Sequence, residues 1–305
     1  MKIYVAGHRG LVGSAIVRQI ESHTTHTWVG RTRAEMDLLD RNAVFHFLAE
    51  EKPDAVIIAA AKVGGIQANK NYPVEFLSEN LQIEVNLIDG SHAANIERLL
   101  FLGSSCIYPK LAPQPLREEY LLTGELEKTN EAYAVSKIAG LKLVEAYRNQ
   151  YGRQWISAMP TNVYGPGDNY DLENSHVLPA LIRKFIDAKT RGDTSVTLWG
   201  TGSPKREFIY SDDLASACLF LLENYNDSIA INVGTGQDLS IRDLASTIKQ
   251  ATGYEGLINW DESKPDGTPR KLLDIEKISS LGWQPTISLE EGISLTSQAY
   301  IRDHC

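Results

Sequence analysis

The chain has 305 residues, 43% apolar and 23% charged, the proportions of an ordinary globular protein with room for one large domain or two modest ones. Its net charge of −9 excludes a general nucleic-acid-binding surface, which must be basic. The three cysteines, Cys106, Cys218 and Cys305, form neither a disulfide framework nor a zinc spacing, and no apolar run approaches the roughly 20 residues that span a bilayer. The expectation is a cytoplasmic protein with no metal site, no membrane contact and no signal peptide, since the chain opens directly on an apolar strand-like run.

In the first half, residues 2–6, 26–29, 55–59, 99–102 and 155–159 are apolar and β-rich and read as buried strands. Segments 11–21, 41–51, 74–94 and 131–150 between them carry helical periodicity. This alternation predicts an α/β protein with a parallel, doubly wound Rossmann sheet covered on both faces. Near Gly165-Pro166-Gly167 the texture changes. Helices are expected over 176–189, 211–223 and 240–252, with strands at 196–198 and 229–233, turns at 200–204 and a glycine–proline loop over 264–269. The predicted division is 1–164 for a cofactor domain and 165–305 for a smaller α/β substrate domain, with segments about 205–235 returning to the first.

The first strand runs into Gly7-His8-Arg9-Gly10-Leu11-Val12-Gly13. Glycines at this spacing let the chain turn sharply and aim a helix N-terminus at a pyrophosphate. An isolated match would be an ordinary glycine turn as often as not, but here the loop lies between a strand and a helix, as dinucleotide binding requires. After the second strand stands Gly30-Arg31-Thr32-Arg33, with no carboxylate before Glu35. NAD sites usually place an acid there for the ribose hydroxyls, whereas Arg33 and Arg9 would welcome a 2′-phosphate, so the predicted cofactor is NADPH/NADP+.

Tyr133-Ala134-Val135-Ser136-Lys137 puts a phenol and an ammonium on one helix face. The cation favours the phenolate and prepares Tyr133 to exchange a proton with a carbinol oxygen. Such a pair arises by chance on many surface helices; Gly103-Ser104-Ser105-Cys106 at the end of the fourth strand supplies the second element. Ser104 can donate to a carbonyl oxygen, and Cys106 shares its face if the strand conformation continues.

These motifs resemble the extended short-chain dehydrogenase/reductase family, and within it the enzymes that modify nucleotide-linked sugars. The likeness extends through Ala59-Ala60-Ala61-Lys62-Val63-Gly64-Gly65-Ile66, Met159-Pro160-Thr161-Asn162-Val163-Tyr164-Gly165-Pro166, Asn174-Ser175-His176-Val177, Arg206-Glu207-Phe208 and the 264–271 block, covering residue 3 to about 285. It implies 3,5-epimerisation and 4-reduction of GDP-4-keto-6-deoxy-D-mannose to GDP-L-fucose, with another nucleotide-linked 4-keto sugar as the alternative substrate. By similarity Cys106 and His176 handle protons at C3 and C5, their ordinary pKa values of about 8.5 and 6.5 suiting the task. Asp37, Leu38, Ala60, Lys137, Pro160, Asn162, Val163 and His176 join the glycine loop in holding the cofactor. Lys184, Trp199, Arg206, Asp266 and Lys271 are the matching positions for the GDP moiety. The resemblance further implies a homodimer packed through the helices at 74–94 and 131–150. An inactive NADP-binding scaffold should lack Ser104, Tyr133 or Lys137, and a 4,6-dehydratase usually has an acid–threonine pair in place of Ser105-Cys106.

Overall fold

A computed structural model describes residues 1–264 and 266–305; Pro265, which falls in the expected 264–269 loop, lies outside the described residues. The first half runs β1 (Lys2–Ala6), α1 (Leu11–His23), β2 (Thr27–Val29), α2 (Arg41–Glu51), β3 (Ala55–Ile58), α3 (Ile66–Asn71), α4 (Pro73–Ala93), β4 (Arg98–Leu102), α5 (Glu131–Tyr151) and β5 (Gln154–Pro160). Then come β6 (Asn162–Tyr164), α6 (Val177–Arg191), β7 (Ser195–Trp199), β8 (Lys205–Tyr210), α7 (Ser211–Asn224), β9 (Ile231–Val233) and β10 (Asp238–Ser240). The chain finishes with α8 (Ile241–Thr252), β11 (Leu257–Asp261), β12 (Arg270–Lys271), α9 (Glu276–Ser280) and α10 (Leu289–His304).

Six strands pair in parallel in the order β2-β1-β3-β4-β5-β9. Their continuous apolar runs follow from burial on both faces. Ile3 and Val5 of β1 join Ile16 and Ile20 of α1 and Leu214 and Leu221 of α7 in one core. Tyr4 and Ala6 point the other way, into a core with Val44 and Leu48 of α2, Leu87 of α4 and Val144 of α5. Each such fully buried aliphatic side chain contributes about 1.5–3 kcal/mol. The strand order reverses beside β1, so the crevice beyond the carboxyl ends of β1 and β3 is where such a sheet receives its ligand. A third core packs α6, α8 and α10 against β7 and β8. There β8 pairs with β6, β10 and β12, and β7 with β11.

The boundaries differ from the sequence expectation where a local hydrogen bond outweighs periodicity. The expected strand at 229–233 starts only at Ile231, because Asp227 Oδ1 accepts the Ile229 amide at 3.2 Å in a turn. The helix expected from 176 begins at Val177, leaving His176 as its N-cap residue with an extended backbone. Strand β8 forms directly after the turn expected at 200–204.

Candidate active site

The glycine loop sits at the reversal point. Gly7 has φ of +85°, and a Cβ there would come 2.8 Å from the Ala60 amide nitrogen. At Gly13 a Cβ would lie 2.1 Å from Gly7 O, so only glycine lets α1 press against the end of β1. Gly10 caps α1 without a side-chain bond, which leaves the first-turn amides around Leu11 and Val12 open to an anion. Arg31 is committed elsewhere, 2.9 Å from Glu51 and over the Phe47 ring. Arg9 is exposed, and Arg33 is 79% exposed with Asp37 4.0 Å away. Leu38 packs on the second core, and its carbonyl accepts Asn86 Nδ2 at 2.9 Å. An uncapped helix end flanked by two exposed arginines fits a dinucleotide bearing an extra phosphate. Across the crevice Pro160 is buried at the end of β5, Val163 packs on the first core, and Asn162 Nδ2 donates to Glu207 O at 2.7 Å.

The next cluster lies at the ends of β4 and α5. Tyr133 and Lys137 share a face of α5, with the ammonium 5.9 Å from the Tyr133 ring centroid. Ser104, at the mouth of β4, hydrogen-bonds the phenol. Burial pushes the Tyr133 pKa far above its ordinary value; the neighbouring Cys106 and Glu84 add to this, and the Ser104 bond opposes it. The expectation that Lys137 brings the phenol toward neutrality is therefore corrected for this state: burial prevails, and the ammonium is engaged elsewhere. Its Nζ donates to Leu102 O at 3.0 Å and lies 3.2 Å from Glu84 Oε1, with both side chains almost fully buried. Glu84, on α4, was not among the expected site residues.

Cys106 reaches the site by a route other than the expected one. The strand ends at Leu102, and Ser105–Ile107 form a 3₁₀ turn in which Ser104 Oγ accepts the Cys106 amide at 3.2 Å. A serine cap competes with continued strand, and here it prevails. Asn130 Nδ2 donates to Cys106 Sγ at 3.1 Å, and Lys271 Nζ at 3.4 Å. Lys271, expected beside GDP, is thus in contact with the thiol. It also acts electrostatically on His176, whose pKa is lowered first by surrounding protein and then by Lys271. The imidazole is nevertheless solvent-accessible, as a side chain on the wall of an open crevice is.

A backbone latch sets the position of His176. The Gly65 amide donates to Asn174 O at 2.8 Å, and a Cβ on Gly65 would lie 2.5 Å from Ser175 O. Asn69 Nδ2 ties Gly64 O and Gly65 O together at 2.9 and 3.0 Å. The glycine pair after β3 is therefore the seat of the loop that carries the histidine.

Farther out, Trp199 is half exposed, with Lys184 Nζ and Lys264 Nζ each 5.5 Å from its ring centroid. Burial lowers the pKa of Lys184 and of Arg206, while Cys106, Asp266 and Glu127 act on Arg206 in the opposite sense. An aromatic face among cations suits a nucleobase and its diphosphate. Asp266 is already occupied: its carboxylate accepts the Thr201 amide and hydroxyl, both at 2.8 Å. It fastens the turn that presents Trp199.

The model of the NAD dependent epimerase/dehydratase family matches residues 3–234. A protein from Arabidopsis thaliana, GDP-L-fucose synthase 1, is 55% identical over 304 residues, covering 100% of this chain and 94% of its own. The crystal structure of a GDP-6-OMe-4-keto-L-xylo-heptose reductase from C. jejuni superposes with a TM-score of 0.95 at 36% identity, covering 99% and 98% of the two chains. That of a GDP-L-fucose synthetase from Naegleria fowleri bound to NADP gives 0.91 at 29% identity, covering 99% and 94%.

Proposed function

The chain belongs to the NAD dependent epimerase/dehydratase family, and from that membership we propose that it converts GDP-4-keto-6-deoxy-D-mannose to GDP-L-fucose by 3,5-epimerisation and NADPH-dependent 4-reduction. One observation carries the reading. The Ser104–Tyr133–Lys137 set sufficient for a carbonyl reductase adjoins a second set, Cys106 with Lys271 and His176, that a simple reductase does not need. The 55% identical relative bears the name of this activity.

The ketone at C4 acidifies the hydrogens at C3 and C5. Ser104 and Tyr133 hold the C4 oxygen as each enolate forms. Cys106 and His176 remove a proton from one face of the carbon and return one to the other. Each inversion is proton-neutral. NADPH, when bound, supplies the hydride for C4; the glycine loop 7–13, Arg9, Arg33, Asp37, Leu38, Ala60, Lys137, Pro160, Asn162, Val163 and His176 are the residues that would hold it. Tyr133 gives its proton to the oxygen at C4, and the phenolate that remains is reprotonated from solvent. Lys184, Trp199 and Arg206 take the GDP moiety, Asp266 steadies their turn, and Lys271 reaches from that side to Cys106.

Residues 1–164, with the returning 205–235, form the cofactor part in this reading, and the remainder of 165–305 holds the sugar nucleotide. The enzyme works as a cytoplasmic homodimer joined through α4 and α5. Two features support this: the free thiols of Cys106 and Cys218, and the exposed Val74, Val85 and Val135 on those helices. A second reading, reduction of another GDP-linked 4-keto sugar, is favoured by the 0.95 TM-score to the heptose reductase. Incubation with NADPH and GDP-4-keto-6-deoxy-D-mannose, with the product identified by NMR, separates the two. GDP-L-fucose is expected; absence of turnover, or reduction without inversion, would transfer the argument to the second reading.

A further inference from the structure

Glu84 is 1% exposed on α4, 53 positions before Lys137 in sequence, yet its Oε1 lies 3.2 Å from the Lys137 Nζ. Burying an ion pair removes two charges from water and often stabilises a fold no better than apolar packing would. The helix is otherwise equipped for that packing here, with Phe76, Leu87 and Ile88 on its buried face. The site is also shaped around the carboxylate: a Cβ on Gly140 would come 2.8 Å from Glu84 Oε2 and 2.5 Å from the Phe101 ring. Only a glycine in α5 lets that helix approach both groups. Neither carboxylate oxygen has a fully formed hydrogen bond, so the charge is directed at Lys137 and Tyr133 with little else to neutralise it.

We propose that Glu84 is a positioning residue for the 4-reduction: it holds the Lys137 ammonium against the end of β4 beneath Tyr133. The inference rests on the proposed reaction. Lys137 is fixed between Glu84, Leu102 O and the Phe101 ring, 4.8 Å away, and so cannot swing out of the crevice. The titratable groups around the phenol are Cys106 from the turn after β4, Glu84 from α4 and Lys137 on its own helix. Of these, Cys106 and Glu84 raise its pKa. Reduction needs the protonated phenol. Burial also raises the Glu84 carboxyl to about 7. The folded protein then holds that proton more tightly than the unfolded chain, so this group's contribution to stability falls as pH rises from about 4.5 to about 7.

The test compares wild type, Glu84→Gln and Glu84→Asp. Turnover by the wild type under the proposed conditions is the control on the function itself; without it the function fails, whatever Glu84 does. With it, Glu84→Gln should lower kcat for NADPH oxidation about tenfold at unchanged KM. Solvent-deuterium exchange at C3 and C5 without NADPH should stay within about threefold of wild type, because Cys106 and His176 do not contact Glu84. Melting of the cofactor-free protein should lose part of its decline between pH 5 and 7. Wild-type kcat, a rise in KM alone, an unchanged melting slope, or exchange and reduction falling together would overturn the proposal. Where Glu84→Gln does not fold, Glu84→Asp decides: drawing the carboxylate back should lower kcat severalfold at constant KM, and wild-type kcat would refute the role.

Discussion

In the proposed reaction Tyr133 and Cys106 serve neighbouring carbons of one sugar, yet the protein holds them by different means. Tyr133 and Lys137 stand on one face of a 21-residue helix, braced by Glu84 from α4 and by the end of β4. Cys106, His176 and Lys271 come from a 3₁₀ turn, a helix N-cap and a two-residue strand, and they meet only because three separate segments converge. The reducing half is built on the main sheet, with Lys137 and Glu84 buried beneath a partly buried Ser104 and Tyr133; the epimerising half is partly buried at Cys106 and Lys271 and exposed at His176. The difference follows from the chemistry. Transfer to C4 occurs once in a fixed geometry, which rewards rigid, dry positioning. Epimerisation exchanges protons on two faces of two carbons, and its acid–base groups must recover their protons from solvent.

Substitutions can separate the halves. The largest effect is expected from Tyr133→Phe: NADPH oxidation should fall by about 10³-fold, whereas deuterium wash-in at C3 and C5, followed by NMR, should fall only about tenfold because Ser104 still holds the C4 oxygen. Equal loss of both would mean that the halves are one unit. Next, Cys106→Ser or His176→Gln should slow wash-in at one or both carbons by about 10²-fold, yet leave reduction of an already epimerised 4-keto sugar largely intact. Gly65→Ala touches no reacting atom but displaces the Ser175 carbonyl and with it His176. An exchange rate lower by about tenfold, with hydride transfer nearly unchanged, would place the latch on the epimerising side. The smallest change belongs to Arg33→Ala, for which calorimetry should find NADPH binding weaker by about fivefold and less dependent on salt, since Arg33 is highly exposed.

The reducing half was the more legible in sequence, because its parts are local. The glycine spacing marks the β1–α1 turn, and the Tyr133-x-x-x-Lys137 interval follows from helix geometry. Glu84 escaped notice although a signal existed: with Phe76, Asn80, Leu87 and Ile88 it lies on a buried stripe, where an unexplained carboxylate calls for a partner. The epimerising half was legible only through family resemblance, since no periodicity tells that Lys271 reaches Cys106 across 165 positions. Strands β10 and β12, of three and two residues, are set by pairing with β8 and leave no pattern of their own. The end of the chain held a missed local cue. Ser288-Leu289-Glu290-Glu291 is a capping sequence, and Ser288 Oγ accepts the Glu291 amide at 3.2 Å at the start of α10.

The most direct test of two proton-exchanging centres served by one reducing site is a single reaction run in deuterium oxide with ordinary NADPH and GDP-4-keto-6-deoxy-D-mannose. NMR of the product should find deuterium at C3 and C5 and protium at C4. Protium retained at C3 and C5 in a reduced product would contradict the account, leaving the protein a reductase whose Cys106 and His176 move no protons.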